Sequence, residues 1–227
     1  MKKKLVVFSG AGMSAESGIS TFRDSGGLWE KYNLEDVATP QAWKKDPNLV
    51  TDFYNIRRKQ IMDALPSEAH CQIASWEEFF EVTVVTQNID DLHERAGSSN
   101  VLHLHGNIRL AKSSGPNQEK RFYPISNWEL TADDLCEEGY PLRPHVVWFG
   151  EEVPAFGHAA EIIRESDLLL VIGTSLQVYP AAGLIHEAPA TCRKIIVDPK
   201  VEEYLVPKEF EKIQGSAAEV LKQIDLY

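Results

Sequence analysis

The sequence predicts an α/β fold built on a doubly wound, mostly parallel sheet, because short apolar, β-branched runs alternate with helical patterns. The runs that carry this prediction are Lys4 to Phe8, Val82 to Thr86 and Leu168 to Ile172, and Lys194 to Val197 continues it. Runs of this kind are typical of strands that are buried on both faces. Since ligands of such sheets bind beyond the carboxyl ends of the strands, we expect the polar motifs that follow the runs to gather along one edge.

Two stretches interrupt this alternation and predict a smaller lobe inserted over the sheet edge. Residues 30–67 contain helical patterns without a core strand, and residues 107–145 are polar and rich in turn residues. A cleft between two lobes is a usual place for a ligand. One domain spanning 1–227 is expected, and its core would consist of about residues 1–29, 68–106 and 146–227,.

The composition excludes several classes of protein. Hydrophobic residues make up 43% and charged residues 25%, which is typical of a soluble globular protein,. The net charge of −11 and the lack of a basic stripe argue against direct nucleic-acid binding,. No apolar run reaches the ~18 residues of a membrane span. Cys71, Cys136 and Cys192 form no C-x-x-C pair, which predicts a cytoplasmic protein,. The oligomeric state stays open, and a monomer is compatible with the sequence.

A glycine-containing turn follows the first predicted strand. Gly10-Ala11-Gly12-Met13-Ser14-Ala15 meets the G-x-G-x-x-G/A pattern that places a pyrophosphate at a helix N-terminus,. The alternative is an ordinary tight turn, where small residues are common. A dehydrogenase would also carry an acidic residue at the end of a second strand, roughly 20 residues later. That position falls in Leu34 to Pro40, which has no strand pattern. The turn therefore predicts a nucleotide, but not a hydride-transfer enzyme.

The longer segment from Gly10 to Arg23 resembles the opening signature of sirtuins, and further motifs follow in that family's order. These are Thr86 to His93, Leu104-His105-Gly106, Val146 to Glu151, Gly173 to Leu176 and Gly215-Ser216-Ala217. The resemblance covers nearly the whole chain. It implies a Rossmann-like core and an NAD-dependent protein-lysine deacylase, which consumes NAD, transfers the acyl group to ADP-ribose and releases nicotinamide.

The resemblance also implies which residues bind NAD. Phe22 would shield the reacting carbon, Arg23 would lie near the phosphates, and Asn88 with Asp90 would hold the nicotinamide carboxamide as donor and acceptor. In the alternative interpretation, Asn88 and Asp90 only cap the next helix. The full set of expected NAD contacts is Gly10, Ala11, Gly12, Ser14, Phe22, Arg23, Trp29, Gln87, Asn88, Ile89, Asp90, Gly173, Thr174, Ser175, Asp198 and Ala217.

His105 is the expected catalytic base, and Asn88 is expected to act with it. In the reaction that the resemblance implies, the substrate's own amide oxygen is the nucleophile. The protein therefore has to position two ligands and remove a proton from a ribose hydroxyl. Histidine suits this task because its ordinary pKa of about 6.5 leaves it neutral but basic near pH 7. The other histidines of interest are interpreted as packed or solvated side chains: His70, His93, His103 and His145.

Two segments are expected to bind the acylated lysine of a protein substrate. By resemblance, Val147, Trp148, Phe149 and Gly150 pair with the substrate backbone, as in strand addition. The alternative is a plain core strand.

Residues 52–59 read as a helix that places Tyr54 and Arg57 on one face,. Tyr-x-x-Arg resembles the acid-recognition motif of sirtuins that remove succinyl and malonyl groups, and Ala38 matches a small residue of that pocket. A guanidinium binds a carboxylate in a forked pair. The alternative is a solvated basic face with Tyr54 half buried.

The chain departs from the sirtuin pattern in two places. Sirtuins usually carry four zinc-binding cysteines in the small lobe, and here only Cys136 lies in that region, so we expect no zinc,. We expect Phe122, Tyr123, Trp128 and Leu135 to hold the lobe by packing instead. Asp198 stands where the family usually has Asn, which keeps the acceptor and loses the amide donor.

Two competing functions remain open from the sequence. Mono-ADP-ribosyl transfer uses the same NAD chemistry with a protein nucleophile. A non-catalytic NAD-binding module is conceivable because the zinc site is missing.

Overall fold

The computed structural model describes residues 2–19, 32–203 and 206–226. Its strands are β1 (Lys4–Ser9), β2 (Glu81–Thr86), β3 (Val101–His103), β4 (Gly106–Ser113), β5 (Phe122–Pro124), β6 (Leu142–Val146), β7 (Leu168–Ile172), β8 (Arg193–Val197) and β9 (Phe210–Ile213). Its α-helices are α1 (Gly12–Ala15), α2 (Leu34–Val37), α3 (Pro40–Lys45), α4 (Pro47–Asp63), α5 (Glu68–Ser75), α6 (Leu92–Arg95), α7 (Phe156–Arg164) and α8 (Ala217–Leu221).

The large sheet has six strands in the order β3-β2-β1-β7-β8-β9, and every neighbouring pair is parallel. The four predicted strands are confirmed as β1, β2, β7 and β8. The edge strands β3 and β9 were not predicted. Because all six strands run the same way, the motifs after β1, β2, β7 and β8 meet at one edge, as expected.

Both faces of this sheet are buried, which explains the unbroken apolar runs. Leu5 and Val7 point to one core with α5 and α8, whereas Val6 and Phe8 point to the other core with α7. Successive side chains of a strand alternate between faces, so β1 contributes to both cores. The described residues contain no helix long and apolar enough to cross a membrane.

A second, antiparallel sheet has the order β5-β4-β6. Helices α2, α3 and α4 pack against its base, where Ile108, Val146 and Trp148 join their apolar cluster. The start of α4 is well defined, since the Asp46 side chain accepts a hydrogen bond from the Leu49 amide and Pro47 occupies the first turn,.

The prediction of which side chains pack on this antiparallel sheet is wrong for most of them. Its core consists of Ala111, Ile125, Leu130, Cys136 and Leu142, and of the expected side chains only Tyr123 packs on it. Phe122, Trp128 and Leu135 are 39%, 38% and 53% exposed. Side chains alternate along the edge strand β5, so Tyr123 faces inward and Phe122 faces outward, where it stacks on His145 with ring centroids 4.1 Å apart,.

Candidate active site

The turn after β1 packs directly against the turn after β7. A Cβ atom on Gly10 would lie 2.7 Å from the Thr174 Cβ, and one on Gly12 would lie 2.9 Å from the Gly173 backbone. The Gly12 amide donates to the Gly173 carbonyl at 2.8 Å, and Gly173 itself has a φ of +63°. These glycines therefore allow the two turns to meet at the sheet edge.

The loop after β2 brings an amide and a carboxylate to the same place. The Asn88 Nδ2 donates to the Gly10 carbonyl and to the Ser14 Oγ, both at 3.0 Å, and the Ser14 hydroxyl donates to Asp90 Oδ2 at 2.9 Å. Both amide hydrogens of Asn88 thus have acceptors within the protein, which leaves Oδ1 as the atom of this side chain that would contact a ligand. Burial raises the pKa of Asp90, and the hydrogen bond from Ser14 opposes that shift.

The alternative interpretation, in which Asn88 and Asp90 only cap the next helix, describes Asp90 but not Asn88. The Leu92 amide donates to Asp90 Oδ1 at 3.3 Å, so Asp90 does help to cap α6. The Asn88 side chain faces β1 instead. The backbone between them is also fixed, because the Ile108 amide donates to the Ile89 carbonyl at 2.8 Å.

The His105 ring lies against this same loop. Its Nδ1 is 2.9 Å from the Gln87 carbonyl oxygen, which can only accept, so Nδ1 carries the proton and Nε2 keeps its lone pair in the neutral ring,. Burial lowers the pKa of His105, and the contact with Gln87 opposes that shift. The geometry therefore provides a neutral base near pH 7 whose orientation is fixed by a backbone carbonyl.

The remaining expected NAD contacts lie along the edge. The Gln87 Nε2 donates to Thr174 Oγ1 at 3.1 Å, which links the loops after β2 and β7. Asp198 directly follows β8 and accepts from the Lys200 amide at 2.9 Å. Ser175 follows Thr174, Ala11 precedes α1 and Ala217 begins α8. Phe22, Arg23 and Trp29 lie outside the described residues.

The expected substrate segment leaves β6 and turns. The amides of Val147 and Phe149 donate to the carbonyls of His105 and Ala38, at 2.9 and 3.0 Å, and the Trp148 amide donates to Glu151 at 2.8 Å. Trp148 is buried, and the Phe149 side chain and Gly150 are exposed. All three amides already donate inside the protein, so a substrate backbone would meet carbonyl oxygens here. Val147 to Gly150 follow the last residue of β6 and belong to no strand, so the core-strand alternative does not describe them.

Tyr54 and Arg57 are not part of a solvated face. Their exposed fractions are 2% and 9%. Burial raises the pKa of Tyr54 to about 12, with opposing contributions from Arg57 and from the adjacent Trp148 side chain. Burial lowers the pKa of Arg57, while Tyr54 and Asp90 act in the opposite direction. The pair therefore lies within electrostatic reach of both the substrate segment and the loop after β2.

His103 has a more specific environment than its interpretation as a packed or solvated side chain suggested. Its Nδ1 is 2.9 Å from the Asn88 carbonyl oxygen, and its Nε2 is 2.7 Å from Glu94 Oε1. His103 at the end of β3 and His105 in the turn after it thus contact the carbonyls of two consecutive residues, Asn88 and Gln87. The sequence shows only that Glu94 follows the loop on a short helix, so nothing in it signals this pairing.

The described residues contain no group of three or more His, Cys, Asp or Glu side chains placed to hold a metal ion. Cys136 packs in the core of the small sheet, where the Ser113 hydroxyl contacts its Sγ at 3.3 Å.

Polar side chains gathered at the carboxyl edge of a doubly wound parallel sheet place this protein among the nucleotide-binding α/β proteins. Within that class the chain belongs to the Sir2 family, since the model of that family matches residues 10–180.

Individual relatives are similar in sequence to this chain over nearly its full length. An NAD-dependent protein deacylase of Bacteroides thetaiotaomicron is 46% identical over 98% of this chain and 96% of its own. One of Helicobacter pylori is 46% identical over 98% of this chain and 94% of its own. A solved structure of a Sir2 homologue in complex with NAD is 36% identical, covers 98% of this chain and 88% of its own, and has a TM-score of 0.84.

Proposed function

We propose that this chain is an NAD-dependent protein-lysine deacylase that removes acetyl groups and also accepts succinyl and malonyl groups. In the proposed reaction the acyl group is transferred to ADP-ribose and nicotinamide is released. The deacylase activity is supported by relatives of that name, which are 46% identical. The acyl range rests on one observation: Tyr54 and Arg57 are both buried beside the substrate segment.

The residues at the sheet edge fit NAD. Asn88 Oδ1 and the Asp90 carboxylate are acceptors suited to the amide hydrogens of a carboxamide. The turns at Gly10 and Gly173 leave backbone at the edge where phosphates bind in folds of this kind. When bound, NAD supplies an activated bond between its ribose and nicotinamide.

We propose that His105 removes a proton from a ribose hydroxyl. Its Nδ1–H is held by the Gln87 carbonyl, so Nε2 is the atom that accepts the proton. The lowered pKa of His105 keeps this nitrogen unprotonated at neutral pH,. Asn88 is proposed to act with it by holding the leaving nicotinamide.

We propose that Tyr54 and Arg57 bind the distal carboxylate of an acidic acyl group. A carboxylate that enters an apolar channel loses its hydration, and it is accepted only where a cation and a donor replace the water. Because the pKa of Tyr54 is about 12, its phenol remains a donor at neutral pH. Ala38 is buried where its carbonyl binds the Phe149 amide, and its small side chain belongs to the same apolar cluster as Tyr54.

The test is a panel of acetyl-, succinyl- and malonyl-lysine peptides, with nicotinamide release and peptide mass measured in the same reaction. We expect all three peptides to lose the acyl group in step with nicotinamide release. A peptide or protein that gains the mass of ADP-ribose would instead establish mono-ADP-ribosyl transfer. Intact NAD after prolonged incubation with every peptide would establish a binding module and overturn the proposal.

We also propose a cytoplasmic location, because the three cysteines are all free,. The division into a core and a small lobe made of residues 30–67 and 107–145 stays a prediction.

A further inference from the structure

His103 lies between two groups that can only accept hydrogen bonds. Its Nδ1 faces the Asn88 carbonyl at 2.9 Å and its Nε2 faces the Glu94 carboxylate at 2.7 Å. A neutral imidazole has one N–H and one lone pair, so it can satisfy only one of these contacts. Both contacts are hydrogen bonds only if the ring is protonated on both nitrogens,. The side chain of His103 is 11% exposed and that of Glu94 is 37% exposed.

The charges around the ring favour the same protonation state. Burial disfavours the charged form of His103, but the hydrogen bond and charge of Glu94, the Asn88 carbonyl and the charge of Asp90 outweigh it and raise its pKa. His93 and His145 also interact with the His103 ring, and their lowered pKa values leave them neutral. The pKa of Glu94 is lowered, which keeps its carboxylate charged.

The contact between His103 and the Asn88 carbonyl connects this ring to the candidate active site. The Asn88 amide donates to Thr86 Oγ1 at 3.0 Å, its carbonyl faces His103, and its side chain is held by Gly10 and Ser14. Among these partners, His103 is the one whose own side chain titrates. Loss of its proton would leave a lone pair facing either the Glu94 carboxylate or the Asn88 carbonyl. The Asn107 amide, 3.4 Å from Nε2, is the available partner for a neutral ring.

We propose that His103 is a positioning residue, which as an imidazolium between the Asn88 carbonyl and the Glu94 carboxylate fixes the backbone that presents Asn88 and Asp90 to nicotinamide. Its link to nicotinamide rests on the proposed function. The protonation state does not, because it concerns the protein alone.

The first measurement is a pH titration of ¹⁵N-labelled histidine rings by NMR in the protein without NAD, with His103→Gln used to assign the signal. We expect both nitrogens of His103 to be protonated at pH 7. We expect Glu94→Gln to lower its titration midpoint. A neutral His103 ring at pH 7, or a midpoint that Glu94→Gln does not move, would overturn the proposal even if deacylation were confirmed.

The second measurement compares nicotinamide inhibition and the KM for NAD in Glu94→Gln, Glu94→Asp and Glu165→Gln. A hydrogen bond to a charged group is lost in Glu94→Gln, and we expect roughly tenfold weaker nicotinamide inhibition with a parallel rise in KM. Glu94→Asp keeps the charge and should recover part of the loss. Glu165→Gln removes a carboxylate from an exposed ion pair with Lys4 and serves as the control. Equal behaviour of Glu94→Gln and Glu165→Gln would refute the positioning role.

Discussion

Replacing Arg57 with Met separates an acyl-recognition role from a structural one. Met keeps an unbranched stem beside the Phe53 ring, which lies 5.9 Å from the guanidinium carbon, and removes the charge. Charge-assisted hydrogen bonds contribute about 1.5 to 3 kcal/mol, which corresponds to roughly tenfold to more than a hundredfold in specificity. We therefore expect kcat/KM for a succinyl-peptide to fall by that factor, while kcat/KM for the matching acetyl-peptide changes by only a few-fold.

The assay is nicotinamide release at several concentrations of each peptide with NAD held constant. Lys59→Met on the same helix is the matched control, because its ammonium lies over the exposed Trp128 ring, 5.3 Å from the centroid, and not beside the substrate segment. Tyr54→Phe combined with Arg57→Met measures the coupling between the two groups. An equal fall for both peptides, or a wild-type protein that ignores succinyl-peptide, would refute the reasoning and leave an ordinary deacetylase.

Three further predictions address the base, the metal and the pH dependence of stability. His105→Ala should lower deacylation by about a hundredfold to ten-thousandfold while calorimetry still detects NAD binding, and near-normal turnover would show that another group is the base. Elemental analysis should find no stoichiometric zinc, and a chelator should leave thermal unfolding unchanged; about one zinc per chain would contradict this. Burial lowers the pKa of His70 to about 4, so its contribution to the free energy of unfolding is present above its unfolded pKa and is lost as pH falls through the folded value,. The loss should reach roughly 3 kcal/mol between pH 6.5 and pH 4, and it should shrink in His70→Gln in urea titrations; an unchanged pH dependence in that variant would contradict it.

The central strands could be predicted from the sequence because burial on both faces leaves a strong pattern. Every residue of β7 is buried, and its predicted bounds match the structure. The edge strands β3 and β9 leave a much weaker pattern. Val101–His103 is only three residues long and partly buried, and Phe210–Ile213 carries two exposed charged residues. Short strands with one solvated side do not differ enough from loops to be recognised by periodicity.

The surroundings of the charged residues on α4 could not be predicted. The i, i+3 spacing placed Tyr54 and Arg57 on one face, but the burial of that face depends on segments far away in sequence. Arg58 shows the same limit, because it is fully buried and donates to the carbonyls of Ile108 and Trp128 and to Asn55 Oδ1. A buried guanidinium is stable only where such acceptors surround it. Residue type alone therefore could not separate Arg57 and Arg58 from the solvated face that was the alternative.

The pKa values of the two histidines at the site are shifted in opposite directions, and the Glu94 carboxylate is the largest cause that raises the pKa of His103. His105 contacts one carbonyl and is shifted by burial toward the neutral form, whereas His103 contacts a carbonyl and the Glu94 carboxylate and is shifted toward the charged form. If both proposed roles hold, activity requires a neutral His105 and a charged His103 together. The dependence of kcat/KM on pH should then be bell-shaped, with an acid limb below the ordinary histidine pKa and an alkaline limb above it. Glu94→Gln should move the alkaline limb toward lower pH and leave the acid limb in place. A shift of both limbs together would show that the two rings titrate as one coupled pair.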